Sequence, residues 1–222
     1  MPIDRELLHA DAEAAKVFLD SSKGTILHEV GHYVGANMAG ILSGHLIVSA
    51  KNERAAAAFV FDDRSAPCLA LSPERASLVS SAGFLAEYHF CGQARIARSR
   101  NDIAAYQSMF GMYPADRVVA LWKRDHLDRI AAYATCVETN FDRCVRYCRS
   151  PRFLIGDHHV IPSCMLRSPR WRSPRARLDE VVWTYPMKAR HRALEEFLAA
   201  HASSRTPGPA LSRNSSSPRS NS

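Results

Sequence analysis

Residues 22–38 read SKGTILHEVGHYVGANM, and this stretch decides the fold and the chemistry that the sequence predicts. An apolar side chain recurs every three or four residues, at Leu27, Val30, Val34 and Met38. That spacing predicts a helix with one apolar face, which packs against the rest of the domain. Ser22 can cap the first turn and Gly40 can end the last one, so we expect a helix from about residue 22 to residue 38.

Residues 28–32 of this helix form the pattern H-E-x-x-H. Side chains four residues apart project from the same face of a helix, so His28 and His32 can bind one Zn²⁺ at about 2.0–2.1 Å. Glu29 is rotated by about 100° from His28, and from there its carboxylate can accept a proton from a zinc-bound water. The pattern predicts one zinc ion per chain with Glu29 as general base. The alternative is two histidines on a helix face with a solvated glutamate between them.

A third protein ligand for the zinc has to come from outside this pattern. In a metzincin it would be a histidine at position 38, but Met38 offers only a thioether, so that subclass is rejected. Glu53 lies in a polar turn, where a solvated side chain is expected. Glu87 lies at the edge of the apolar face of a later helix and, being partly desolvated, needs a partner. Asp102 lies at the start of the next helix, where Ser99 and Asp102 equally resemble a capping box, so both roles stay open for it.

The remaining sequence predicts a mainly helical α+β domain over residues 1–200, followed by a disordered basic tail at residues 201–222. A small β-hairpin follows the zinc-binding helix, and that helix is buried against the third and fourth helices. The elements that we expect are a helix up to Phe18, strands His45–Ser49 and Ala57–Phe61, helices Pro73–Phe90 and Ser99–Phe110, a long amphipathic segment Pro114–Tyr147, an irregular stretch over residues 150–176 within a basic extension over 150–200, and a helix Met187–Ala200.

Three motifs in this order resemble the protease domain of FtsH-type, ATP-dependent zinc metallopeptidases. They are the H-E-x-x-H pattern, Ala82-Gly83 with Ala86-Glu87 after the hairpin, and residues 99–103, which read S-R-N-D-I. The resemblance covers about residues 20–148 and implies a helical, zincin-like metallopeptidase fold. It also implies that His28, His32 and Asp102 bind zinc, that Glu29 is the catalytic base, and that Glu87 is a supporting acid near the site rather than a ligand.

The chain also departs from that family. Its longest apolar run, residues 55–61, is too short to span a membrane, and no G-x-x-x-x-G-K-[ST] phosphate loop is present. Ala97-Arg98 stands where the family has Thr-Gly before the Asp102 motif. The resemblance therefore leaves a separate ATPase as a partner that supplies unfolded substrate. Because acidic residues occupy the place of a signal peptide's apolar core, a cytoplasmic location is expected.

The charge of the chain is concentrated near its C-terminus. The 222 residues carry a net charge of +7, and residues 165–222, with 11 basic and 4 acidic residues, account for all of it. A neutral body gives no reason to bind polyanions, and no recognition fold surrounds the arginines of residues 167–177, so nucleic acid is not an expected partner.

The six cysteines show no C-x-x-C pair, and free thiols are the expected state. A second zinc site is an alternative, but the spacings match no common structural zinc pattern. Its ligands would come from Cys136, Cys144, Cys148, His158, His159 and Cys164.

The sequence thus predicts a hydrolase: a zinc metalloendopeptidase that cleaves protein or peptide substrates with a zinc-activated water and Glu29 as base. One alternative is a repressor-cleaving zincin of the ImmA type, which has a glutamate as third ligand. The other is a non-catalytic, zinc-stabilised module that binds partners through its basic C-terminal part.

Overall fold

A computed structural model describes residues 22–41, 43–49, 57–61, 72–168 and 187–203. These residues form a mainly helical α+β fold, as predicted. The elements are α1 (Ser22–Met38), β1 (Gly44–Ser49), β2 (Ala57–Phe61), α2 (Pro73–Cys91), α3 (Arg100–Phe110), α4 (Ala115–Ala131), α5 (Ala134–Tyr147), β3 (Leu154–Ile155), β4 (His158–Pro162) and α6 (Met187–Ser203). None of the described helices has the length and hydropathy needed to cross a membrane.

The strands form one antiparallel sheet in the order β2-β1-β4-β3. The β1–β2 hairpin agrees with the prediction. The prediction of an irregular stretch over residues 150–176 was wrong, because this stretch contains β3 and β4. The sequence of β4, with two histidines and Pro162, carries little alternating hydrophobicity of its own. Pairing with β1, where Leu46 lies opposite Ile161, makes it a strand. Gly156, at φ 57°, provides the left-handed position of the tight turn between β3 and β4.

Strand β1 is buried on both faces of the sheet. Leu46 and Ile161 belong to the main core with α1 and α2, whereas Ile47 lies on the opposite face in a smaller core with Leu194 and Phe197 of α6. A strand that is covered on both faces can be apolar throughout, which explains the run Leu-Ile-Val in β1. The helix predicted over Met187–Ala200 is therefore part of this fold.

Helix α1 packs closely against α2, and glycines make this close approach possible. A Cβ atom on Gly31 would lie 2.5 Å from the Ala82 carbonyl oxygen, and one on Gly35 would lie 2.4 Å from the Ala82 Cβ atom. The predicted contact of α1 with the third helix, α2, is confirmed, and α5 is its second large contact. The fourth helix, α3, packs mainly against α2 and α4 instead, and it approaches α1 near Asp102.

The long segment predicted over Pro114–Tyr147 is divided into two helices at Ala132 and Tyr133. An unbroken helix of that length would extend about 50 Å, further than a domain of this size is wide. The break lets Trp122 on α4 and Phe141 on α5 both reach the main core. The predicted helix up to Phe18 and the turn with Glu53 lie outside the described residues. The tail predicted over residues 201–222 begins too early, because α6 continues to Ser203, and residues 204–222 lie outside the described residues as well.

Candidate metal centre

Three side chains from α1 and α3 meet at one point. The Nε2 atoms of His28 and His32 lie 3.0 Å apart, and Asp102 places one oxygen 3.3 Å from His28 Nε2 and the other 3.4 Å from His32 Nε2. A tetrahedral zinc ion with bonds of about 2.0–2.1 Å separates its ligand atoms by about 3.3 Å. Each Asp102 oxygen lies near this distance from one histidine, and one ligand atom from each of the three side chains lies within 4.8 Å of the other two, so the group could hold a metal ion. The described residues contain no second group of this kind, including the cysteines and histidines of the alternative site.

The other nitrogen of each histidine has a partner that fixes the tautomer. His32 Nδ1 donates to the Val79 carbonyl oxygen at 2.8 Å, and His28 Nδ1 donates to Glu87 Oε1 at 3.1 Å. Because these partners are acceptors, the protons lie on Nδ1 and the lone pairs lie on Nε2. Two lone pairs and a carboxylate then converge on one point, where a cation can satisfy all of them at once.

The charges around this point balance those of one divalent cation. Glu29, Glu87 and Asp102 contribute three carboxylates, and Arg98 contributes one positive charge through its ion pair with Glu87. The sum is −2, which one Zn²⁺ would neutralise. In the metal-free protein, protons partly replace it: burial lowers the pKa of His28, but hydrogen bonds to Asp102 and Glu87 outweigh burial and raise that pKa to about 10. The histidines in turn hold the pKa of Asp102 well below its usual range against the opposing effect of burial.

Gly83 of α2 provides the space that the two imidazoles need. A Cβ atom at this position would lie 2.5 Å from His32 Nε2 and 2.7 Å from His28 Nε2, far inside van der Waals contact. The same helix carries Val79 and Glu87, the hydrogen-bond partners of the two histidines. Helix α2 therefore shapes the site and orients its histidines.

Glu29 is the buried carboxylate beside this group. Its Oε2 atom accepts a hydrogen bond of 2.8 Å from the Phe59 backbone amide of β2. Burial raises the pKa of Glu29, although the positive histidines and the Phe59 amide act in the opposite direction. Glu29 is thus a stronger base than a solvated glutamate, and one of its oxygens is fixed.

These residues lie at the base of a groove of about 560 Å³. Residues 57–59 and 61 of β2 form one wall, and Ala105, Ser108 and Met109 of α3 contribute to the other. An edge strand and a helix therefore flank the three possible ligands and Glu29. That arrangement can admit an extended chain to the histidines.

The structure also shows the contacts of Asp102 and Glu87, the two acids whose roles the local sequence left undecided. Helix α3 begins without a side-chain cap from Ser99, whose hydroxyl group has no hydrogen-bond partner among the described residues, so the capping box is not formed. The Asp102 carboxylate points to the histidines instead. Glu87 contacts the Nδ1 atom of His28, on the side of the ring away from the convergence point.

Sequence analysis did not identify three groups that hold the side chains of this site in place: the Val79 carbonyl, the Phe59 amide and the Arg98 guanidinium. Backbone groups carry no signal in the amino-acid sequence. Arg98 was noted only as a departure from the family pattern. Its position four residues before Asp102, in the loop that follows Glu87, is the one hint that the sequence offers.

The chain matches no protein-family model, no curated protein and no solved structure.

Proposed function

We propose that this chain is a zinc metalloendopeptidase in which His28, His32 and Asp102 hold the metal and Glu29 is the general base. The observation that carries the proposal is the convergence of three possible ligand atoms, within 4.8 Å of one another, beside a buried glutamate that lines the same groove. Zinc bound there would supply a Lewis acid for the scissile carbonyl and lower the pKa of a water molecule to about 7.

The protein's own part in the reaction is to hold and move protons. The Phe59 amide binds Oε2 of Glu29 and orients the carboxylate, which leaves Oε1 to accept the proton of the attacking water and to pass it to the leaving amine. The Val79 and Glu87 acceptors keep the Nδ1 atoms protonated, so that the Nε2 lone pairs stay directed at the metal.

The substrate proposed for this groove is an extended polypeptide. Strand β2 lies at the edge of the described sheet, and its Phe59 amide points away from β1 toward Glu29. Backbone groups alternate along an antiparallel strand, so those of Ala57 and Phe61 point into the groove as well. Because Glu29 already accepts from the Phe59 amide, a peptide that pairs with this edge would use the backbone groups of Ala57 and Phe61 and would pass over Glu29. An open groove with a strand edge supports an endopeptidase.

The arrangement favours the FtsH-type assignment over the ImmA-type alternative. The ImmA type requires a glutamate as third ligand, and Glu87, the best-placed candidate, contacts Nδ1 rather than Nε2 of His28. The contacts of Asp102 with both Nε2 atoms support the third-ligand role that the FtsH-type resemblance implies for it. A separate ATPase as partner and a cytoplasmic location stay predictions.

Metal analysis combined with peptide hydrolysis tests the proposal. The purified full chain should contain about one zinc ion, and it should cleave casein or a quenched fluorescent peptide. A chelator should abolish cleavage, and added Zn²⁺ should restore it. Zinc bound at this ratio without turnover on either substrate would contradict the enzyme and favour the non-catalytic binding module.

A further inference from the structure

Arg98 is linked to the metal centre through one carboxylate oxygen. Its side chain is 15% exposed and lies in the loop between α2 and α3, where its Nη1 atom donates to Glu87 Oε1. The same oxygen accepts the hydrogen bond from His28 Nδ1 at 3.1 Å. A continuous chain of contacts therefore runs from Arg98 through Glu87 to a proposed ligand.

Glu87 depends on this contact because it is fully buried. Its second oxygen accepts only a 3.2 Å hydrogen bond from the backbone amide of Arg95, whereas Arg98 supplies a full positive charge. A buried carboxylate that loses its cationic partner keeps an uncompensated charge, which favours a move of the carboxylate away from its present position. Once it has moved, it no longer holds the His28 ring in the orientation seen here.

We propose that Arg98 is a positioning residue of the metal centre. It holds Glu87 against His28 Nδ1, and Glu87 in turn directs the Nε2 lone pair of His28 at the ion. Arg98 itself makes no contact with the three ligand atoms. This inference rests on the proposed zinc site, and its test measures metal affinity rather than turnover.

The sign of the effect separates this role from simple electrostatics. A positive charge near a cation site repels the ion. If Arg98 acted only through its charge, its removal would therefore make the protein bind zinc more tightly. If Arg98 positions Glu87, its removal weakens zinc binding. Loss of such supporting contacts around metal ligands typically weakens metal affinity by about 10–100-fold, and we expect this loss for Arg98→Gln.

A double-mutant cycle identifies the route of the effect. Zinc dissociation constants would be measured by chelator competition on the full chain for the wild type, Arg98→Gln, Glu87→Gln and the double variant. If Arg98 acts through Glu87, then Arg98→Gln should change the affinity by less than about threefold in the Glu87→Gln background. Fully additive losses would overturn the proposal, as would an Arg98→Gln protein that binds zinc as tightly as the wild type or more tightly.

Two further variants keep the test decisive. Arg98→Lys retains the charge beside buried Glu87 and should recover at least about half of the lost affinity on a logarithmic scale, even if Arg98→Gln folds poorly. Arg100→Gln removes the same charge from an exposed position two residues away and should leave the affinity within about twofold. A loss of zinc affinity with Arg100→Gln equal to that with Arg98→Gln would refute the specific role of Arg98.

Failure of this inference can be distinguished from failure of the proposed metal site. A wild-type protein that binds no zinc would overturn both, whereas zinc binding that is unaffected by Arg98→Gln overturns this inference alone.

Discussion

Substitution of Gly83 by alanine is a direct steric test of the metal centre. The added Cβ atom would lie 2.5 Å from His32 Nε2 and 2.7 Å from His28 Nε2. Ordinary contacts between such atoms are about 3.5 Å long, so each imidazole would have to move by about 0.8–1.0 Å. Metal–ligand distances tolerate only about 0.2 Å. We therefore expect Gly83→Ala to weaken zinc affinity by at least about tenfold and to abolish peptide hydrolysis.

The assay for this prediction is chelator competition for zinc, run beside thermal unfolding of the metal-free protein. Insertion of a methyl group into a packed site costs about 1–3 kcal/mol, so the melting temperature should also fall. Leu85→Ala is the control, because it removes a fully buried side chain from the same helix and costs about 2–5 kcal/mol. That variant should lose stability yet keep its zinc affinity. A Gly83→Ala protein that binds zinc as well as the wild type would refute the arrangement of α2 beneath the two histidines.

Three other predictions concern Glu29, Asp102 and His28. Glu29→Gln should lower the rate of peptide hydrolysis by about 10²-fold or more, while the zinc content stays near one per chain. The exposed control Glu74→Gln should keep the wild-type rate. Equal activity of the two variants would show that Glu29 is not the general base. Asp102→Asn should lose zinc affinity and activity because a neutral amide replaces an anionic ligand; retained zinc would exclude Asp102 as a ligand. The pKa of His28 rises from 6.5 to about 10 in the folded, metal-free protein, so its protonation stabilises the fold below pH 6.5 and this contribution is lost as the pH rises toward 10. The urea midpoint of zinc-free protein should therefore fall between pH 7 and pH 10, and a midpoint that rises would contradict the buried contacts of His28.

Local sequence signals were enough to predict the helices that carry the site. The spacing of Leu27, Val30 and Val34 predicted α1, and the helix predicted over Pro73–Phe90 is α2. These signals act within one or two turns of a helix, where the chain's own spacing determines which side chains share a face. For the same reason His28 and His32 could be paired from their positions alone.

Contacts between distant segments could not be predicted in this way. Strand β4 depends on β1, more than 100 residues earlier in the chain, and its own residues gave no strand pattern. Asp102 was equally compatible with a cap and a ligand, because the choice depends on how α3 lies relative to α1. The Phe59 amide reaches Glu29 only because β2 lies at the sheet edge. Each of these features is a product of packing between elements, which a local pattern does not encode.

X-ray absorption spectroscopy of the zinc-loaded protein reports the ligand atoms of the metal themselves. For a site formed by two histidines and one aspartate we expect a first coordination shell of nitrogen and oxygen at about 2.0–2.2 Å, with the outer-shell scattering of two imidazoles and no sulfur. A sulfur shell at about 2.3 Å would show that cysteines hold the metal, and it would contradict the site formed by His28, His32 and Asp102.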